Sequence, residues 1–289
     1  MNQQHKNYFQ GKFYNLLVIS AFISLIGCIA GIGLNHEIDS ALFPEPPKNA
    51  ITFWGHATNY IDINGFGIIT DPIFEPKYGL INNRFIPAPP LSSYNQTKII
   101  LISHPHNDHL SPTTISKFPR DVKILCPSKS VKYMQKFNSQ TIIMEPGDKF
   151  EFEGGQIIAV TVHHPGYRYS LKARHDGRAL GYIIKTKNQT IFYSGDTEYF
   201  DGFKKIGSTF KPNIAILNLS THMRTDDAIR TIRDLGVQKV IPSHFGAYGG
   251  GFNERKTSQY RSELSRYLGN MWVSLPIGKS FSLKSELSH

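Results

Sequence analysis

The sequence contains few cysteines, no low-complexity segment and no internal repeat. Cys28 and Cys126 are its two cysteines in 289 residues, which excludes the disulfide framework of small secreted domains. No run of Lys and Arg is interleaved with aromatic residues, so the chain lacks the stacking platform typical of nucleic-acid-binding proteins. We therefore expect no nucleic-acid partner. With 40% hydrophobic and 19% charged residues, the composition is that of a folded protein with one large domain or two small ones.

Charged side chains are also absent from residues 16–34, which are almost entirely apolar. This length is close to the ~20 residues that span a bilayer, and a core helix rarely lacks a polar face over so many turns. Lys6 and Lys12 precede the segment, so the remainder of the chain is expected on the extracytoplasmic side, periplasmic or extracellular. We favour an uncleaved membrane helix over a lipoprotein processed at Cys28, which residues 25–28 resemble, and over a cleaved signal peptide.

The sequence thus predicts three parts. Residues 1–34 are a membrane anchor or signal segment, residues 35–49 a proline-containing linker, and residues 50–289 a catalytic domain. The net charge is +10, and only two of the 32 Lys and Arg residues precede the apolar segment. A basic domain beside a membrane is expected to be attracted to anionic head groups or to substrates that carry phosphate. Simple solubility is the alternative explanation of this charge.

Four metal-binding side chains stand close together in residues 103–110, directly after the apolar run 99–102. His104 and His106 are two residues apart, so both rings point to one side of an extended segment. Asp108 and His109 follow where the chain turns towards a helix that begins at Ser111 and Pro112. Imidazole and carboxylate ligands without a nearby cysteine suit Zn²⁺ or a similar divalent ion. A histidine-rich surface loop is the alternative, and four candidate ligands after a buried strand favour metal.

These residues fit the H-x-H-x-D-H signature, and the chain resembles the metallo-β-lactamase fold family. The resemblance implies an α/β fold, a four-layer αβ/βα sandwich with metals at its edge, here preceded by the N-terminal membrane helix. Later motifs of the family also occur in order. Residues 194–197 match its G-D-T motif, and residues 242–246 match P-x-H-[FWY]-G.

The resemblance implies a complete set of metal ligands. One ion is held by His104, His106 and His164, the other by Asp108, His109 and His244, and Asp196 bridges the two. His163 is the alternative to His164, because consecutive strand residues point to opposite faces and only one can face the metal. Two Zn²⁺ ions are expected, and Mn²⁺ and Fe²⁺ are compatible alternatives.

Further residues are predicted around the metals. Asp71, in a T-D-P motif of the family, would accept a hydrogen bond from a ligand histidine or contact the substrate; a simple turn before proline is the alternative. Arg168 follows His164 by four residues, as in the relatives. His222 would be a general acid or a phosphate contact, with a surface histidine at a helix entry as the alternative. His56, in the W-x-G-H-A-T motif, is predicted to pack near the site rather than to bind metal.

Local patterns predict the secondary structure around these motifs. Asn64 and Gly65 indicate a hairpin turn. Residues 225–235 are a predicted helix that Thr225 caps and Gly236 ends. We also predict a helix over residues 127–136 and strands at residues 141–144 and 271–273.

Within the family the chain is most similar to the branch that contains N-acylphosphatidylethanolamine-hydrolysing phospholipase D and ascorbate-6-phosphate lactonase-like proteins. This implies a dinuclear zinc hydrolase in which hydroxide from a shared water is the nucleophile. A phosphodiesterase of the phospholipase D type is favoured, acting on a membrane lipid or a small phosphodiester, with Asp108 and His222 as catalytic residues. A lactonase or amidase, and a non-catalytic metal-binding protein, are the alternatives.

Overall fold

The computed structural model of the chain describes residues 42–78, 82–137, 140–164, 179–219, 223–248 and 252–283, with residues 252–257 described by their backbone alone. A compact unit begins at Phe43, whose side chain is buried. None of the helices in these ranges is long and apolar enough to cross a membrane. The predicted membrane segment, residues 1–34, lies outside the described residues.

The described ranges form short strands, most of them rich in β-branched residues. In chain order they are β1 (Ala50–Phe53), β2 (Asn59–Ile63), β3 (Phe66–Thr70), β4 (Lys77–Tyr78), β5 (Asn82–Asn83), β6 (Thr97–Leu101), β7 (Lys123–Pro127), β8 (Thr141–Met144), β9 (Lys149–Phe152), β10 (Gly155–Val162), β11 (Ala179–Thr186), β12 (Thr190–Tyr193), β13 (Ile214–Asn218), β14 (Lys239–Ser243) and β15 (Ser280–Ser282). Helices follow at α1 (Pro112–Ile115), α2 (Gly202–Phe210), α3 (Thr225–Leu235) and α4 (Phe252–Leu268).

Two mixed sheets form the framework. The first has the order β15-β1-β2-β3-β6-β7-β8 and the second the order β14-β13-β12-β11-β10-β9, while β4 and β5 pair as a separate ribbon. In the first sheet β1 and β3 are both antiparallel to β2, and β6 is parallel to β3. In the second sheet β10 and β12 are both antiparallel to β11, and β13 and β14 continue parallel to β12. Hence β1, β3 and β6 share one direction, and β10, β12 and β14 share one direction.

The main core lies between the two sheets, because each strand alternates its side chains between two faces. Ile61 and Leu101 of the first sheet join Tyr182 and Ile216 of the second in one buried cluster. The other face of the second sheet packs on α2, α3 and α4 through a second cluster that includes Phe203, Ile232 and Leu264. An α/β sandwich of the predicted class is thereby confirmed.

Aromatic side chains pack on the outer face of the first sheet. The four-residue helix α1 lies beside them, since Phe74 N donates to the Thr114 hydroxyl. Trp54 stacks on Tyr60 with ring centroids 5.0 Å apart, and Phe74 lies 5.2 Å from Tyr94. Offset and tilted aromatic pairs of this kind add about 0.5–1.5 kcal/mol beyond the area they bury.

Several local predictions are confirmed. The hairpin between β2 and β3 turns at Asn64 and Gly65, whose φ angles of 55° and 90° are those of the tight turn that twisted strands favour. Helix α3 spans Thr225–Leu235 and ends at Gly236 in the left-handed conformation, with φ 66°. Strand β8 spans Thr141–Met144 as predicted.

Two local predictions are wrong, and a third is confirmed only in part. The N-cap of α3 is Arg224, and no side chain caps the helix; the Thr225 hydroxyl instead donates to Glu263, 3.0 Å away, in α4. The helix predicted over residues 127–136 is present only as two 3₁₀ segments, residues 128–133 and 135–137. Residues 269–271 form a 3₁₀ turn in place of a strand at 271–273, and Trp272 makes a single bridge to Val240. At Thr225 the tertiary contact with Glu263 overrides the local pattern.

Candidate metal centre

The predicted metal ligands stand just beyond the carboxyl ends of strands from both sheets. His104 follows β6, His164 follows β10, Asp196 follows β12 and His244 follows β14. Strands that run in the same direction present their carboxyl ends at one edge of a sheet, and ligand sites in α/β proteins are usually built at such edges. This topology explains why residues up to 140 positions apart in sequence meet at one place.

His104, His106 and His164 form what we call the first group. The ring centroid of His104 lies 4.4 Å from that of His106 and 4.6 Å from that of His164. His164 Nε2 is 3.2 Å from His106 Nδ1. His104 and His164 are buried, whereas His106 is partly exposed.

Asp108, His109 and His244 form the second group. His109 Nε2 lies 3.1 Å from His244 Nε2, and Asp108 Oδ2 is 3.7 Å from the same His244 atom. His109 is fully buried, while the side chains of Asp108 and His244 are 22% and 14% exposed. The centre therefore opens to solvent at Asp108, His244 and the partly exposed His106.

Asp196 lies between the two groups. Its Oδ2 is 3.4 Å from His109 Nε2 and 3.9 Å from His164 Nε2, so one oxygen faces both groups. Its Oδ1 is 3.4 Å from His244 Nε2 and accepts a hydrogen bond of 3.1 Å from Asn218 Nδ2. This is the position that a bridging carboxylate requires.

Asp71 lies behind the ligands rather than among them. Its side chain is fully buried. Its Oδ1 accepts a 2.7 Å hydrogen bond from the Ser103 backbone N–H, and its Oδ2 accepts bonds from the Ser103 hydroxyl (2.5 Å), His109 Nδ1 (2.7 Å) and the Tyr193 hydroxyl (2.6 Å). The geometry fits an acceptor that orients a ligand histidine. Full burial leaves no room for a substrate contact.

These outer hydrogen bonds fix which nitrogen of each ring faces the centre. His109 Nδ1 carries the proton that it donates to Asp71, which leaves the lone pair of its Nε2 directed inward. The Ser103 hydroxyl uses its proton on Asp71, so His104 Nδ1, 2.9 Å away, must donate to the Ser103 oxygen. Within the part of the chain that the structure describes, His104 Nε2 is buried and has no hydrogen-bond partner.

The inner and outer distances differ in a way that suits metal ions. The outer His109–Asp71 bond of 2.7 Å is a normal charge-assisted hydrogen bond. The inner donor atoms are instead 3.1–3.9 Å apart. Ligand atoms about 2.0–2.2 Å from a tetrahedral Zn²⁺ lie about 3.3–3.6 Å from one another. The residues present therefore fit two divalent ions.

The electrostatics of the site lead to the same conclusion. Burial, reinforced by the neighbouring histidines, lowers the pKa of His104 well below its ordinary value, so this ring is neutral. Burial opposes ionisation of Asp196, but His244 and His109 outweigh it and hold its pKa well below the usual range. Burial likewise opposes charge on His109, but Asp196, Asp108 and Asp71 raise its pKa well above the usual value. The carboxylates around His109 favour positive charge at this place, and a bound metal ion would supply it.

The remaining predicted residues have different outcomes. The alternation of β10 places His164 inside and His163 outside, where His163 stacks on Phe200 with ring centroids 4.2 Å apart. His163 thus does not join the first group. Arg168 and His222 lie outside the described residues, and their roles stay predictions.

Two contacts at the centre have no clear signal in the sequence. Asn218, at the end of β13, holds Asp196, and Tyr193 holds Asp71. His56 packs beside the second group as predicted, with its ring centroid 4.1 Å from that of His244. Asn218 and Tyr193 can be recognised in the sequence as residues at strand ends, but only the tertiary structure shows what they contact.

Comparisons with known proteins agree with this site. The beta-lactamase superfamily domain matches residues 67–245, more than half of the chain. A UPF0173 metal-dependent hydrolase of Nanoarchaeum equitans is 29% identical over 168 residues, 57% of this chain and 78% of that protein. Another, of Myxococcus xanthus, is 28% identical over 210 residues, 70% of this chain and 72% of that protein.

Solved structures show the same fold at lower identity. The isothiocyanate hydrolase from Delia radicum gut bacteria has a TM-score of 0.67 at 20% identity, covering 81% of this chain and 98% of that one. The metallo hydrolase Igni18 from Ignicoccus hospitalis has a TM-score of 0.62 at 19% identity, covering 80% and 97%. This chain therefore belongs to the beta-lactamase superfamily and has the metallo-β-lactamase fold of the metal-dependent hydrolases.

Proposed function

We propose that this protein is a hydrolase of phosphodiesters that works with two metal ions, one in each group of ligands. The observation that carries the proposal is the position of Asp196, whose Oδ2 faces His109 of the second group and His164 of the first. When bound, a pair of ions activates water and neutralises the charge that develops on an attacked phosphoryl group. Zn²⁺ suits the imidazole-rich ligand set, and Mn²⁺ and Fe²⁺ are compatible with it.

The residues of the chain have separate tasks in this proposal. Asp71 holds His109 in the tautomer that binds metal, and Asn218 holds Asp196 in its bridging position. Asp108 is the acidic group on the solvent-facing side of the centre, so a substrate approaches past it. It is therefore the proposed catalytic carboxylate, beside His222 and Arg168 as proposed contacts of the phosphate.

The proposed substrate is an N-acylphosphatidylethanolamine at a membrane. The resemblance to the phospholipase D branch supports it, and so does the net charge of +10, which favours an anionic lipid surface. The predicted membrane segment in residues 1–34 would hold the catalytic domain beside that surface on the extracytoplasmic side. Small soluble phosphodiesters are the second substrate class that this site would accept.

Hydrolysis of N-acylphosphatidylethanolamine in mixed micelles by the full-length protein tests the substrate. We expect release of phosphatidic acid by the zinc-loaded protein, and no release after removal of metal with a chelator, because the groups that activate water are then lost. The product is measured by mass spectrometry, and a soluble phosphodiester and a lactone are assayed in parallel. If a protein that binds two metals hydrolysed the lactone and neither phosphodiester, the phosphodiesterase proposal would be contradicted.

A further inference from the structure

His56 has a strained backbone that the protein holds in place from both sides. It lies in the turn between β1 and β2 with φ 52°, and His244 has φ 71°; both are in the left-handed region that non-glycine residues rarely adopt. His56 N donates to the Phe245 carbonyl and His244 N donates to the His56 carbonyl, each at 2.6 Å. Strained residues that the surroundings fix in this way are concentrated at functional sites.

The imidazole of His56 is directed into the second group. It is 5% exposed, and its ring centroid is 4.1 Å from that of His244 and 5.7 Å from that of His109. Its Nε2 lies 3.3 Å from Asp108 Oδ2. One donor atom each of His56, Asp108, His109 and His244 lies within 4.8 Å of every other.

The distances around His56 are those expected of a metal ligand rather than of a hydrogen-bonded neighbour. In the same site, the hydrogen bond from His109 Nδ1 to the buried carboxylate of Asp71 measures 2.7 Å. The distance from His56 Nε2 to Asp108 Oδ2 is longer, at 3.3 Å. The other donor pairs of the group measure 3.1 Å, 3.7 Å and 3.8 Å. These values lie close to the spacing of about 3.0–3.6 Å between neighbouring ligands of one five-coordinate ion, a coordination that Zn²⁺ can adopt.

We propose that His56 is a further protein ligand of the second metal ion, beside Asp108, His109 and His244. The inference rests on the proposed two-metal function. It adds that the two ions differ in their number of protein ligands. The second ion has four protein ligands before Asp196 is counted, and the first ion has three. Asp196 adds one ligand to each ion, so the second ion would have five protein ligands and the first ion four. The second ion is thus the more tightly bound one.

Titration of the metal-free full-length protein with Co²⁺ tests this, because the visible absorption of Co²⁺ reports the number and type of its ligands. We expect two binding events in the unaltered protein. In His56→Gln, the tighter event should weaken at least about tenfold and its absorption bands should shift, while the other event stays unchanged. Glutamine can still donate a hydrogen bond to Asp108, so it preserves a merely orienting role.

Matched variants complete the test. His163→Gln, one residue from the first group but stacked on Phe200 outside it, should titrate like the unaltered protein. Asparagine tolerates the left-handed backbone conformation, so His56→Asn is used in place of His56→Gln if the glutamine variant does not fold. Two unchanged binding events and unchanged bands in the His56 variant would overturn the proposal and leave the two-metal centre intact. Fewer than two events in the unaltered protein would instead refute the two-metal function itself.

Discussion

Replacement of Asp196 with alanine is expected to reduce hydrolysis at least about a thousandfold, or about 4 kcal/mol in the transition-state free energy. Asp196 is the residue whose oxygens face both groups of ligands. Without it the two proposed ions would lose their shared ligand and the negative charge that holds them close together. The turnover rate of the zinc-loaded variant, with its metal content measured in the same sample, shows this loss.

A matched control separates this effect from a general change in charge near the site. Asp201→Ala removes an exposed carboxylate at the start of α2 that makes no capping hydrogen bond. It should leave both the rate and the metal content unchanged. Activity of Asp196→Ala within about tenfold of the unaltered rate would contradict the bridging role.

Replacement of Asp71 with alanine is expected to have the largest effect on stability. Asp71 is fully buried, and its oxygens accept hydrogen bonds from Ser103, His109 and Tyr193. Loss of the carboxylate leaves those donors buried without an acceptor, and each costs about 1–3 kcal/mol. We expect the free energy of unfolding to fall by about 4 kcal/mol or more, as measured by denaturant titration of the metal-free protein.

A milder change at the same position tests the orienting role of Asp71. Asp71→Asn keeps the shape but places an amide N–H₂ against one of the donors, so the tautomer of His109 is no longer enforced. We expect metal affinity to fall about 10- to 100-fold. Tyr193→Phe removes one hydrogen bond to the Asp71 carboxylate and should cost about 1.5–3 kcal/mol, less than Asp71→Ala. Equal metal affinities in Asp71→Asn and the unaltered protein would show that Asp71 is structural only.

The fold was predicted from the resemblance to the metallo-β-lactamase fold family, whereas one part of the centre follows from local order along the chain. His104, His106, Asp108 and His109 lie within six residues after a buried strand, so one strand end brings them together. The position of Asp196 and His244 was inferred from family motifs, since no local pattern links β12 and β14 to the loop after β6. The structure brings all these residues together, and strand alternation separates His164 from His163.

The remainder depended on contacts between distant elements. The W-x-G-H-A-T motif predicted that His56 lies near the site, but it did not show the contact with His244. That contact arises from hydrogen bonds between backbone groups almost two hundred positions apart. Threonine is common at N-caps, but the Thr225 hydroxyl donates a hydrogen bond to Glu263 of α4 instead of capping the helix. Tertiary partners of this kind decide between two locally equivalent uses of a side chain.

The metal content of the full-length protein tests the central claim most directly. The protein is purified without chelator, loaded with excess Zn²⁺, freed of unbound metal by gel filtration and measured by mass spectrometry against protein concentration. The two groups of ligands and Asp196 predict about two Zn²⁺ ions per chain, falling to one or fewer in Asp196→Ala. A folded protein that retains no zinc would contradict the account.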